Sequence, residues 1–178
     1  MLDESGFLLT PVVRRTYAPR GCTPVHEAWT RHGKISAVSA ITASPKRRRL
    51  GLYFMLLADD ANVGGEDSVR FLRLLKRHIG PRMTVVWDRS MTHDRSKVVR
   101  RFLETNPGVR TERFPGYAPE LNPDEGVWDY AKYGRMANFA PRDAAHLRRR
   151  LRSELSRLKR RPDLLASFIR HSGLPVAV

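Results

Sequence analysis

Three acidic side chains, Asp3, Asp88 and Glu125, stand where a layout of strands and helices could bring them together. Asp3 follows what would be the first strand, Asp88 ends the apolar run MTVVW, and Glu125 lies in the first turn of a helix beginning near Asn122. Carboxylates gathered in one place repel one another, which raises their pKa values unless cations sit between them. Mg²⁺ prefers hard oxygen ligands and takes a few carboxylates together with phosphate oxygens, so it is the natural remedy. Two such ions about 3.5 to 4 Å apart can activate an attacking hydroxyl and steady the leaving oxygen of an in-line displacement at phosphorus. Plainer readings stand beside this one. Asp3 can be a solvated residue near a terminus, Asp88 a turn residue after a strand, and Asn122-Pro123-Asp124-Glu125 an N-cap followed by a first-turn proline and a capping-box acid.

The elements that must position these groups are legible from apolar periodicity. Residues 34–43 (KISAVSAITA) and 50–58 (LGLYFMLLA) read as two strands of a hairpin, with Lys46, Arg47, Arg48 and Arg49 at its tip. Val69, Leu72, Leu75 and Ile79 recur at helical spacing until Gly80-Pro81 stops the run. Residues 83–87 form a short buried strand, 94–104 a helix with Val98, Val99, Phe102 and Leu103 inward, and 109–114 another strand. A Pro- and Gly-rich loop leads to the helix carrying Glu125. A further helix over 142–159 aligns Leu147, Leu151, Leu155 and Leu158 in one stripe, and Pro162 breaks it. This order describes an α/β domain with a mixed sheet covered on both faces. If the first and fourth strands are neighbours, the ends of both place two carboxylates side by side at the edge where such folds hold ligands.

The 178 residues fit one domain, and 41% hydrophobic composition is too apolar for a disordered chain. The 33 Lys and Arg against 18 Asp and Glu leave a formal charge of +15, which draws phosphates and ranks nucleic acid first among partners. Arg148, Arg149, Arg150 and Arg152 on the last long helix, with the hairpin tip, are the candidate phosphate contacts. A single cysteine, Cys22, excludes an internal disulfide and a Cys-rich zinc site and suits a reducing cytosol. No apolar run approaches the roughly 20 residues of a membrane helix, and no secretory signal is visible.

Three segments together, LDESGF at 2–7, WDRSMTH at 87–93 and PGYAPELNPDEGVW at 115–128, resemble the DDE transposases of bacterial insertion sequences related to mariner elements. The basic segment RRTYAPRGCTP at 14–24 is similar to that family too. The resemblance implies a ribonuclease H-like fold spanning 1–178. It places the first catalytic and metal-binding aspartate on Asp3, the second on Asp88 and the third acid on Glu125, with Asp124 as a variable neighbour. It also implies Mg²⁺, with Mn²⁺ as a substitute and two ions in the site. His93 falls on a histidine the family often carries, with a structural role equally open, and Asn122 orders the turn before Glu125. Lys132, along the same helix, is a candidate DNA contact or a solvated lysine. The implied partner is double-stranded DNA, both element ends and target, bound by a homodimer when the protein is complete, in a bacterial cytoplasm near the nucleoid.

Family members carry helix-turn-helix modules upstream, and here the chain begins inside the first strand, so that strand is expected to be truncated and those modules absent. Three functions follow as alternatives: DNA cleavage with strand transfer, an inactive DNA-binding remnant that regulates a full-length transposase, and a stand-alone ribonuclease or resolvase.

Overall fold

A computed structural model of the chain describes residues 1–25, 33–44, 49–88 and 95–176. Three antiparallel strands in the order β1-β2-β3 make the first ladder: β1 (Leu2–Leu8), β2 (Lys34–Ser44) and β3 (Arg49–Asp59). Helix α1 (Gly65–Ile79) leads to β4 (Met83–Trp87), and α2 (Lys97–Glu104) crosses over to β5 (Val109–Arg113), which pairs parallel with β4. A single 3₁₀ turn, Pro119–Leu121, precedes α3 (Pro123–Asp129), which runs on as a π turn over Tyr130–Arg135; α4 (Ala144–Leu158) and α5 (Pro162–His171) follow. β1 lies beside β4, as the carboxylate arrangement requires.

The expectation that the first strand ends at Asp3 is corrected here. β1 is seven residues long and pairs with β2 along all of it, from Leu2 opposite Ala40 to Leu8 opposite Lys34. Asp3 is the second residue of the strand, and the chain continues past it as strand. Glu4, Ser5 and Gly6 interrupt the apolar pattern and conceal this from a reading of propensity, but a ready-made partner edge on β2 overrides the local preference.

β2 sits between its two partners, and every residue from Ile35 to Ile41 is buried. Its side chains alternate between two cores. Ile35, Ala37 and Ile41 join Phe7 and Leu52 beneath α3, α4 and α5, where Val127, Trp128, Leu147, Leu151, Leu155, Leu158, Leu165 and Ile169 close the layer. Val38 and Ala40 face the other way with Leu2 and Leu57, against Val69, Phe71, Leu72 and Leu75 of α1, Val99 and Phe102 of α2, and Val85 and Trp87 of β4. Helices therefore cover both faces, as expected. The leucine stripe of α4 is buried throughout. The inward assignment of Val98 is corrected: it is 44% exposed as the second residue of α2, and Ile79, the last residue of α1, is 42% exposed. Pro162 both stops α4 and opens α5 from its first helical position.

The second helical layer is held by one buried acid. Glu154 on α4 is 1% exposed, and its carboxylate accepts hydrogen bonds from Arg135 Nε at 3.1 Å and Arg157 Nη1 at 2.9 Å, with Arg150 Nη2 at 3.3 Å. A buried carboxylate is tolerated where charge and hydrogen bonds both answer it. Replacing Glu154 with Gln leaves three guanidiniums together without the opposing charge. Because those arginines are partly solvated, the expected loss of unfolding free energy is about 1 to 3 kcal/mol, read as a lowered urea midpoint with an unchanged m-value.

Candidate active site

The site is built on a match between two periodicities. In β1, residues 3, 5 and 7 project to one face about 6.7 Å apart, and on the helix opposite, residues four apart rise by about 6 Å. Trp128 and Lys132 therefore meet that face in register. Trp128 Nε1 donates to Asp3 Oδ2 at 2.9 Å and its ring packs edge-on against Phe7, with centroids 5.9 Å apart. Lys132 Nζ donates to Ser5 Oγ at 2.7 Å and stands 5.3 Å from the Phe7 ring centroid. A buried indole needs an acceptor, and here the acceptor is one of the three candidate acids.

Rotation of α3 about its axis is set one turn earlier. Asp124 is fully buried, accepting from Ser39 Oγ at 2.6 Å and from the Ile41 backbone N–H at 3.2 Å, both on β2. Asn122 caps the helix, its side chain accepting from Asp124 N at 3.2 Å. Adjacent helical residues point about 100° apart, so a buried Asp124 directs Glu125 outward. Glu125 then lines a cleft of about 490 Å³ together with Asp3, Asp88 and Asn122, walled by the loop from Phe114 to Pro119. Phe114 N donates to Trp87 O at 2.9 Å, which ties that loop to the end of β4 beside Asp88. At the lip Tyr117 is fully exposed with a left-handed φ of 56°.

Electrostatics in the cleft follow from burial. The Asp3 carboxyl is pushed up to about 8, first by desolvation and then by repulsion from Asp124 and Glu125, with the Trp128 hydrogen bond opposing. Desolvation raises Asp124 to about 6 against its hydrogen bonds from Ser39 and Ile41. Glu125 is raised by desolvation and by Asp129, while nearby Lys132 works the other way. Lys132 is itself lowered by desolvation despite three acids around it. Among the described residues, no group of three His, Cys, Asp or Glu forms a complete ligand set. The donors nevertheless suit a hard divalent cation, since three carboxylates share one cleft and ionisation of the most buried of them is opposed by burial and by repulsion that a cation would offset.

The structure thus gathers Asp3, Asp88, Glu125 and Asn122, with Lys132 alongside. His93 and the tip residues Lys46, Arg47 and Arg48 lie outside the described residues; Arg49 opens β3 and is exposed. The α4 arginines divide. Arg149 and Arg152 are exposed, whereas Arg148 pairs with Asp59 at 2.6 Å and Arg150 reaches Glu154 and the Phe139 ring, so the latter two serve the protein's own packing. The residue sequence reasoning missed is Trp128. Its position three after Glu125 on the same helix was the available signal, masked because a tryptophan reads as core. No described helix is long and apolar enough to cross a membrane.

A family profile described as DDE superfamily endonuclease matches residues 1–148. No curated protein sequence matches the chain. Among solved structures, the Mos1 transposase paired-end complex with left transposon end aligns with a TM-score of 0.60 at 18% identity, over 97% of this chain and 54% of that one. A pre-cleavage Mos1 transpososome gives 0.62 at 16% identity, over 99% of this chain and 56% of that one. The Mos1 transposase catalytic domain with Raltegravir and Mg gives 0.52 at 13% identity, over 99% and 85%. The fold is ribonuclease H-like, and the chain spans just over half the length of the transposase chains in the first two complexes.

Two outcomes follow from the site's geometry. Trp128→Phe keeps most of the ring but removes the donor to Asp3, which strands a buried acceptor and is expected to lower unfolding free energy by about 1 to 3 kcal/mol, measured by urea titration. The folded-state value of Asp3 near 8 lies above its ordinary 3.8, so its contribution to stability is intact below about pH 4 and is lost as pH rises through about 8. In chelator, the unfolding free energy is therefore expected to decline between about pH 5 and 8, and Asp3→Asn to flatten that decline.

Proposed function

Because the chain belongs to the DDE superfamily endonucleases, we propose that it is the catalytic domain of a transposase, one domain over residues 1–178 that cleaves DNA phosphodiesters and joins the freed 3′-hydroxyl to target DNA. One observation carries the reading: Asp3, Asp88 and Glu125, far apart in sequence, line a single cleft, and the helix bearing Glu125 also supplies the tryptophan that holds Asp3. These three acids would hold divalent metal, Mg²⁺ or Mn²⁺ and two ions when fully loaded. Bound there, the metal would activate the attacking hydroxyl and neutralise charge developing on the phosphate.

The remaining work falls to the chain's own groups. Trp128 fixes the Asp3 carboxylate, Asn122 and Asp124 set the helix start so that Glu125 faces the cleft, and Lys132 supplies a cation at its edge. Exposed Arg149 and Arg152 suit the phosphate backbone beyond the cleft. Double-stranded DNA is the substrate in this reading, as transposon end and as target, with a homodimer as the complete assembly and the bacterial nucleoid as the place of action. The Mos1 structures named above include a complex with a transposon end, and one contains Mg, which supports DNA and divalent metal as the partners here.

The test is nicking of supercoiled plasmid. Wild-type chain is expected to nick in Mg²⁺ or Mn²⁺ and to bind without turnover in Ca²⁺, whose larger and looser shell suits the chemistry poorly. Asp88→Asn and Glu125→Gln are expected to lose nicking by at least about 100-fold, of the order seen when one charge-stabilising group is removed from a reaction centre. Asp124→Asn is expected to retain activity per folded molecule with a lowered melting temperature. Undiminished nicking by Asp88→Asn, or full activity in excess chelator, would sink the assignment.

A further inference from the structure

Outside the catalytic cleft, a groove of about 640 Å³ runs between α1 and α2. Arg73, Lys76 and Arg77 enter it from one face of α1, at helical spacings of three and four, and Arg101 enters from α2. Val69 and Phe102 form its floor, and among the described residues no acidic side chain lines it. Among the described residues none of the four cations makes an ion pair. Lys76 donates to the Asn106 side chain, and the Arg73 guanidinium stands 5.9 Å from the Phe102 ring centroid, so two of the four are held in place over the floor.

A bland account exists, since cations are favoured in the last turn of a helix, and Lys76, Arg77 and Arg101 lie in such turns. Magnitudes decide against it as a full explanation. Two helix C-termini present roughly −0.5 each, about −1 together, against four full positive charges. About three remain unanswered, and Arg73 lies a turn before the end of α1, where the macrodipole has faded. A stability device would have no need to leave the groove free of carboxylates.

The groove also has a definite place relative to the cleft. Pro81, which lines it, precedes β4, whereas Asp88 follows β4, so five strand residues, or about 17 Å, separate the two regions. That is about five base pairs of duplex rise at 3.4 Å each. We propose that the α1/α2 groove is a second binding surface for the phosphate backbone of duplex DNA, engaging it a few base pairs from the bond being cut. The choice of DNA rather than an acidic protein rests on the nuclease reading above and on the net charge of the chain.

The test uses the whole chain with Arg73, Lys76, Arg77 and Arg101 replaced by Gln, beside a control in which four exposed cations elsewhere, Arg15, Arg20, Arg160 and Arg170, are replaced in the same way. Binding to a 30-base-pair duplex is measured by fluorescence anisotropy in Ca²⁺ across about 50 to 200 mM salt. Every phosphate that the protein no longer neutralises reduces the slope of log affinity against log salt by about 0.9. The groove variant is expected to show a slope reduced by between about 2 and 3.6 and the control by less than about 1. An unchanged slope, or an equal reduction in both variants, overturns the proposal. So does a groove that captures a polyglutamate peptide while the variant binds DNA as wild type does. Should the fourfold variant melt early, Arg73→Glu and Arg101→Glu tested singly carry the same expectation of reduced slope. Plasmid nicking by wild type reports separately on the catalytic reading: a chain that never nicks, yet shows the groove-dependent slope, keeps this surface and loses that reading.

Discussion

The placement of the candidate site depends on how α3 is rotated about its own axis, and that rotation is fixed by a buried carboxylate. Asp124 has no exposed surface and finds its partners on the central strand, in a hydroxyl and a backbone N–H. Turning the helix by one residue, about 100°, would leave Ser39 and Ile41 without an acceptor and bring Asp124 toward water, and unmet polar groups at that depth are costly. With Asp124 inward, the neighbouring Glu125 has only the cleft to face, and Trp128 and Lys132 come down on β1 in register. A structural acid and a candidate catalytic acid thus stand side by side in sequence with opposite environments. The same chemistry, a carboxylate, is used once as an anchor and, in the proposed function, once as a metal ligand.

The site also carries its own instability. Asp3 is placed where ionisation is opposed by burial and by three neighbouring acids, Asp124, Glu125 and Glu4, while Trp128 and Lys132 offset part of that. Preorganisation of this kind gathers charges before the cation arrives. The hydrophobic layers on either side of β2 supply the stability that allows it, and the small residues Ala37 and Ser39 on the face toward α3 let that helix approach the strand closely enough for a 2.6 Å hydrogen bond.

Much of this architecture was legible. Asp88 could be placed because MTVVW is a β-branched run ending at a single acid, and Glu125 because Asn122-Pro123 marks a helix start unambiguously. The resemblance then chose Glu125 over Asp124; in the structure Asp124 is buried and Glu125 lines the cleft. Other features were beyond reach. The extent of β1 was hidden because Glu4-Ser5-Gly6 has poor strand propensity and only pairing to β2 makes it strand. The division of the α4 arginines was hidden too, since four cations in five residues look alike until Glu154 and Asp59 are seen to claim two of them. The role of Trp128 depends on a partner 125 positions away, which no local pattern encodes. The cations of α1 and α2 look like ordinary helix surface in the sequence, because the groove between them exists only once the helices pack.

The π turn at Tyr130–Arg135 links these observations by simple counting. A turn closed by Met136 N to Ala131 O holds one residue more than an α turn, so everything after it is advanced by about 100° relative to an uninterrupted helix. Upstream of that extra residue the helix presents Trp128 and Lys132 to β1; downstream it presents Arg135 to Glu154 on α4. Within this one helical layer, the contacts to β1 and the contacts to α4 are therefore phased against each other by a single inserted amino acid. Deleting Gly134 would change no chemistry and remove no core side chain, yet it would turn Arg135 and all that follows out of step with Trp128 and Lys132. Length variation, well tolerated in most surface turns, has no neutral form at this point in the chain.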